Sequence, residues 1–154
     1  LKRGRTVRSL CYLMKNYSNV SLVFIAPKQF AMQSDVINHL KEHNIPFKET
    51  EKINEVISDL DALYITRMQS EWDEANESQA VDFTKFSVGP KELSLFKEKG
   101  IIMHPLPRGP EIDPTVDMDP RAMYWRQERN GMWMRVAVLL KIFHIEDQIQ
   151  KLDL

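Results

Sequence analysis

Two prolines flank one leucine in "IIMHPLPRGPEI", residues 101 to 112, and Pro105 and Pro107 could present backbone carbonyls to a ligand from either side of Leu106. Proline has no N–H and disfavours helical conformations in the residue before it, so neither a helix nor an interior strand fits here. The spacing predicts a stiff loop with Leu106 held extended, offering preset acceptors to a ligand N–H. A plain rigid connector fits the same residues. Three arginines could supply complementary chemistry: Arg5 ahead of the first expected helix, Arg67 at the end of an expected strand, and Arg108 closing the proline loop. In a parallel sheet such junctions converge on one edge, where planar guanidinium groups would grip carboxylates through paired hydrogen bonds. A small anionic substrate follows from that reading, and a surface charge or structural ion pair is the plain alternative for any one arginine.

Other candidates carry less. His39, Glu42 and His43 in "HLKEH" match an H-x-x-E-H metal-binding pattern, but no third ligand is evident and Pro46 follows closely, which favours a solvated helix face. Cys11 lies on an apolar helical stripe without a basic partner, so it reads as core rather than nucleophile. Five glycines in 154 residues leave no glycine-rich phosphate loop.

The elements that must position these groups alternate. Thr6 is a candidate N-cap for an amphipathic helix over 6–17, with Val7, Leu10, Cys11 and Met14 inward. "VSLVFIAP" reads as a buried strand, and 29–43 as a helix burying Met32, Val36, Ile37 and Leu40. Further short strands are expected at "IPFKE", "LDALYIT" and "GIIMHP", with helices near 52–59 and 90–98. Strands alternating with helices predict an α/β fold: an open, mainly parallel sheet flanked by helices in a Rossmann-like three-layer arrangement. The acidic stretch between Arg67 and Phe83 reads as a long mobile loop at a strand's carboxyl end.

A net charge of −1 gives no footprint for nucleic acid or an anionic membrane surface, and a single cysteine suits a reducing compartment. A soluble, cytoplasmic protein without nucleic-acid or membrane partners is therefore expected. Both ends raise expectations of their own. A helix starting near residue 6 has no strand before it, although open α/β units usually begin with one, so an upstream strand is expected to be missing. "GMWMRVAVLLKIF" is apolar around most of its circumference, and such a helix needs a second body to bury it.

Together, "GRTVRSL", "YITRMQSE", "MHPLPR", "EI" and "VDMDPRAMYWRQERNGMWMR" resemble the aspartate carbamoyltransferase family, specifically its C-terminal, aspartate-binding half. The likeness runs in order from about Gly4 to Phe143, giving an aspartate-binding domain over 1–143 and a tail over 144–154. The related ornithine carbamoyltransferases carry cysteine where this chain has Pro105, which favours aspartate. The resemblance implies that Arg5 and Arg67 clamp the two carboxylates of L-aspartate and that Gln69 adds a contact. It further implies that the carbonyls of Pro105 and Leu106, with Pro107 shaping the turn, receive the amide of carbamoyl phosphate. Glu71 would hold the Arg67 guanidinium in line, and Arg135 would orient the loop between Arg67 and Phe83.

The implied reaction is attack by the aspartate amine on the carbamoyl carbon, with loss of phosphate and no metal or organic cofactor, as a step of pyrimidine biosynthesis. The chain departs from the family pattern at Ser70 and Trp72, where two basic residues are usual. Nothing in it matches the family's N-terminal carbamoyl-phosphate domain with its Ser-Thr-Arg-Thr signature. The chain alone is therefore expected to hold no catalytic residue and to be inactive, the complete enzyme being a homotrimer with sites between subunits. A non-catalytic dicarboxylate-binding or protein-interaction domain is the alternative.

Overall fold

Four short strands and four helices follow one another as two β-α-β units in the computed structural model, which describes residues 1–2, 4–67 and 82–147. Helix α1 (Arg5–Leu13) leads into β1 (Leu22–Ile25), and helix α2 (Ser34–Glu42) connects β1 to the parallel strand β2 (Phe47–Thr50) in the register Leu22↔Phe47. Strand β3 (Ala62–Tyr64) pairs in parallel with β4 (Ile101–Met103), Tyr64 opposite Met103, and helix α3 (Pro90–Leu95) lies between them in sequence. The 20-residue helix α4 (Tyr124–Phe143) is the last helix among the described residues. The expected α/β fold with parallel strands is the one observed. Among the described residues, however, the strands form two pairs, β1–β2 and β3–β4, rather than one continuous sheet.

Each pair has its own apolar core. Val7 and Cys11 of α1, Phe24 of β1 and Val36 and Leu40 of α2 form one, and Leu63, Ile65, Ile102, Ile112, Val116 and Tyr124 contribute to the other. Ile25 reaches from β1 into the second core and Tyr64 from β3 toward the first, which packs the two units together.

Several boundaries differ from expectation for definite reasons. Helix α1 starts at Arg5 with Gly4 as its N-cap, so Thr6 lies inside the helix rather than capping it, and residues 14–16 tighten into a 3₁₀ turn. Met32 is buried as expected, but from an extended segment ahead of α2, because a 3₁₀ turn over 28–30 breaks the anticipated long helix. The helix expected over 52–59 is two 3₁₀ turns separated at Val56, whose φ of −130° departs from helical values; the turns still bury Ile53 and Ile57.

Cys11 is core, as its stripe predicted, and burial pushes its thiol up to about 11. At pH 8 little thiolate exists, so alkylation of the native chain is expected to run at least roughly a hundredfold slower than in urea. A rate equal in both states, measured by mass spectrometry, would contradict this packing.

Candidate functional site

The proline loop leaves the carboxyl end of β4, and Arg67 leaves the carboxyl end of its parallel neighbour β3. The ladder continues one step beyond the strands, where the Ile65 N–H donates to the Met103 carbonyl at 2.9 Å, so the segment 65–67 and the loop 104–107 emerge from the same end of the pair. Arg67 is exposed there. Arg5 is the exposed first residue of α1, and its neighbour Gly4 lines the same cavity of about 1020 Å³ as Arg67. Arg135 is exposed on α4, eight residues or about 12 Å along the axis from the point where that helix meets the loop at Gln127. Gln69 and Glu71, like Ser70 and Trp72, lie outside the described residues.

Leu106 is not extended. Its φ is 51°, in the left-handed region that a leucine rarely adopts, and the Leu106–Pro107 peptide bond is cis. The usual bias of a residue before proline is overridden by a side chain the sequence reading gives no role. His104, 1% exposed, turns its Nδ1 to accept the Leu106 N–H at 2.9 Å. An imidazole nitrogen that accepts carries no hydrogen, so Nε2 is the protonated nitrogen, and it donates to Glu111 Oε1 at 3.0 Å. The same Glu111 oxygen accepts the Gly109 N–H at 2.6 Å. Burial pushes the Glu111 carboxyl up, but the hydrogen bonds from His104 and Gly109 outweigh it and leave the group below the ordinary carboxylate range. From outside the loop, Gln127 Oε1 accepts the His104 N–H at 3.0 Å.

The N–H groups of His104, Leu106 and Gly109 are thus engaged by the protein, while the Pro105 and Leu106 carbonyls accept no hydrogen bond from any described residue. Pro105 and Pro107 are exposed. The Pro105 and Leu106 carbonyls stand in a left-handed turn rather than an extended segment.

Arg108 does not share that outward role. Its Nε donates to Asp117 Oδ1 at 3.0 Å and its Nη2 to Oδ2 at 2.5 Å, a two-point pairing, and the buried Tyr124 hydroxyl donates to Oδ1 at 2.5 Å. This is the structural ion pair that was the plain alternative for any one arginine, and it fastens the far end of the loop to the start of α4. Hydrogen bonds from Arg108 and then Tyr124 hold the Asp117 carboxyl below its ordinary value of 3.8. A depressed carboxylate stabilises the fold fully above the unfolded value and loses that contribution as pH falls through the folded one. Chemical unfolding is therefore expected to show stability falling below about pH 4, with a shallower fall in Asp117→Asn; identical pH profiles would remove Asp117 from the network.

The H-x-x-E-H residues form no ligand set. His39 is buried between the Tyr12 and His43 rings, centroids 4.4 and 4.2 Å away, rather than on a solvated face, because it shares the inner side of α2 with Val36 and Leu40. Among the described residues no three acidic, histidine or cysteine side chains gather as a metal site, and no helix is long and apolar enough to cross a membrane.

The described residues thus form an α/β domain in which Arg67 and the proline turn follow the carboxyl ends of one parallel strand pair. Residues 2–142 match the family described as aspartate/ornithine carbamoyltransferase, Asp/Orn binding domain, and the chain belongs to that family. It is 43% identical over 148 residues to the aspartate carbamoyltransferase catalytic subunit of Methanocaldococcus jannaschii, covering 96% of this chain and 47% of the relative. To the catalytic subunit of Clostridium novyi it is 38% identical over 146 residues, 95% of this chain and 48% of that one. Among solved structures, aspartate transcarbamoylase of Trypanosoma cruzi in complex with carbamoyl aspartate and phosphate superimposes with a TM-score of 0.80 at 39% identity, over 90% of this chain and 45% of that one. The chain spans about half the length of the curated relatives it matches.

Proposed function

We propose that this chain is the aspartate-binding half of an aspartate carbamoyltransferase, carrying L-aspartate to carbamoyl phosphate held by a separate N-terminal domain. The amine nitrogen attacks the carbamoyl carbon, the carbon–oxygen bond to phosphate breaks, and N-carbamoyl-aspartate and inorganic phosphate leave with the amine proton released. One observation carries the reading: Arg67 and the two unengaged carbonyls of Pro105 and Leu106 emerge from the same end of β3–β4. A guanidinium there suits a carboxylate, and paired carbonyls suit the N–H groups of a carbamoyl group. Holding both reactants in one geometry would supply most of the rate. The Trypanosoma cruzi relative has been solved in complex with carbamoyl phosphate and aspartate together, which supports the same pair of ligands here.

Arg5 and Gln69 complete the aspartate contacts in this proposal, with Glu71 and Arg135 supporting the loop that follows Arg67. The complete enzyme would be a cytoplasmic homotrimer acting in pyrimidine biosynthesis, a reading that rests on the family resemblance and the lone cysteine. Mixing this chain with a separately produced N-terminal half and assaying carbamoyl-aspartate tests the proposal. Product formation only in the mixture is the expected result. Two folded halves that bind one another and yield no product would instead favour a dicarboxylate-binding module, the direction in which Ser70 and Trp72 point.

A further inference from the structure

Residues 105 to 107 have a single main-chain donor between them. Pro105 and Pro107 carry no N–H, so the Leu106 N–H is the only donor through which a neighbour can hold this stretch of backbone. His104 takes it, its Nδ1 accepting at 2.9 Å. The consequence falls on the residue before. The Pro105–Leu106 peptide is trans and planar, so the Pro105 C=O lies antiparallel to the Leu106 N–H. With that N–H turned onto a buried imidazole, the carbonyl points the opposite way, out of the interior.

The imidazole is itself held. Its Nε2 donates to Glu111 Oε1, which fixes the rotation of the ring. Its main chain is fixed from both sides of the β4 segment. Toward β3, the Met103 carbonyl accepts the Ile65 N–H; on the other edge, Ile102 donates to the Arg121 carbonyl and accepts from the Met123 N–H, both at 2.8 Å. Alternate residues of a strand bond to the same side, so the His104 N–H is the next donor along that second edge. The carbonyl it meets there belongs to a side chain, Gln127 Oε1 in the first turn of α4, which continues the ladder by one step.

We propose that His104 is a positioning residue for the carbamoyl subsite: it aims the Pro105 carbonyl through the Leu106 N–H, while Glu111 and Gln127 hold the histidine in place. The inference rests on the reading that this carbonyl receives the amide of carbamoyl phosphate. Its chemical content is a selectivity. Acetyl phosphate has nearly the same shape but a methyl group in place of the amide, so it gains nothing from an aimed carbonyl, whereas carbamoyl phosphate gains a hydrogen bond. A misaimed carbonyl therefore weakens carbamoyl phosphate and spares acetyl phosphate.

Calorimetric titration of the complete enzyme, assembled from this chain and a separately produced N-terminal half, with each phosphate in turn tests this. His104→Leu and His104→Asn have nearly equal shapes and both lose the bond to Glu111, but only asparagine keeps an acceptor as many bonds from the main chain as Nδ1. Leucine is expected to cut the preference for carbamoyl over acetyl phosphate about tenfold, and asparagine to recover most of that loss. A ring that merely packs the loop would weaken both ligands alike, or act equally in both variants; either pattern would overturn the proposal, as would a leucine variant with the parent's preference. Pro105–Leu106 is the only Pro-Leu pair in the chain, so isotope-labelled proline carbonyls and leucine nitrogens give one NMR correlation that reports both groups. Its carbonyl shift is expected to respond to carbamoyl phosphate and not to acetyl phosphate, and an identical response to the two would count against the aimed carbonyl. Should the leucine variant fail to fold, Gln127→Met and Gln127→Glu put the same question from α4: only glutamate keeps an acceptor for the His104 N–H, and equal preferences in the pair would overturn the proposal. A parent enzyme that binds neither phosphate refutes the carbamoyltransferase reading itself; a parent that forms carbamoyl-aspartate, with its preference unmoved in His104→Leu, removes the positioning role alone.

Discussion

His104→Ala is expected to lower the domain's midpoint of thermal unfolding by about 6–12 °C, the largest loss of stability anticipated for any single polar side chain here. The substitution removes two hydrogen bonds and a buried ring together. The Leu106 N–H loses its acceptor, the Glu111 carboxylate loses a donor, and a side chain that is 1% exposed leaves a void. A buried unsatisfied donor costs about 1–3 kcal/mol and a carboxylate deprived of a charge-assisted partner a similar amount, giving about 3 kcal/mol in all. His104→Gln separates packing from hydrogen bonding, since its amide retains one acceptor and one donor near the same places. It is expected to recover about half of the loss. If alanine and glutamine variants melt together within 1 °C of the parent, by calorimetry, the imidazole does not hold this loop.

That result would also bear on why the loop's shape was not legible. The rule that a residue preceding proline is extended describes local sterics, and it gives the wrong conformation at Leu106 because the bond to His104 competes with it. No periodicity marks His104, Glu111 and Gln127 as one group or Asp117 and Tyr124 as another; the bonded partners lie 7 to 23 residues apart and meet only through the fold. Residue type did carry one feature of the loop, because two prolines remove donors whatever the turn. The first helix, the parallel pairs and the buried Cys11 were legible for a similar reason: apolar spacing reports burial directly.

The same signal misled where burial and helicity part. Ile53, Val56 and Ile57 have helical spacing and are all buried, yet two 3₁₀ turns bury them equally well. Helix α4 shows the opposite case. Its all-round apolar surface asked for a second body, and Met134, Leu139, Ile142 and Phe143 are indeed each more than half exposed within this chain. The H-x-x-E-H match failed because spacing alone places two histidines one turn apart without saying that one of them faces the core.

In the complete enzyme, Arg67→Ala is expected to reduce kcat/KM for aspartate by 2 to 4 powers of ten, roughly the loss of two charge-assisted hydrogen bonds at about 1.5–3 kcal/mol each. Arg67→Lys is the sharper variant. Lysine keeps the charge but replaces a planar fork by a single ammonium, so it can satisfy one carboxylate oxygen at a time and is expected to regain less than about a tenth of the lost activity. Carbamoyl phosphate affinity, read by calorimetry without aspartate, should be unchanged in both variants, because in the proposed site that ligand meets the carbonyls of Pro105 and Leu106 rather than the arginine. A parallel loss in Arg5→Ala, with the double variant falling short of the product of the two effects, would show both guanidinium groups acting on one substrate. Wild-type KM for aspartate in Arg67→Ala would remove the carboxylate clamp from this edge of the sheet, and with it the reason for placing an acidic amino acid beside the proline turn.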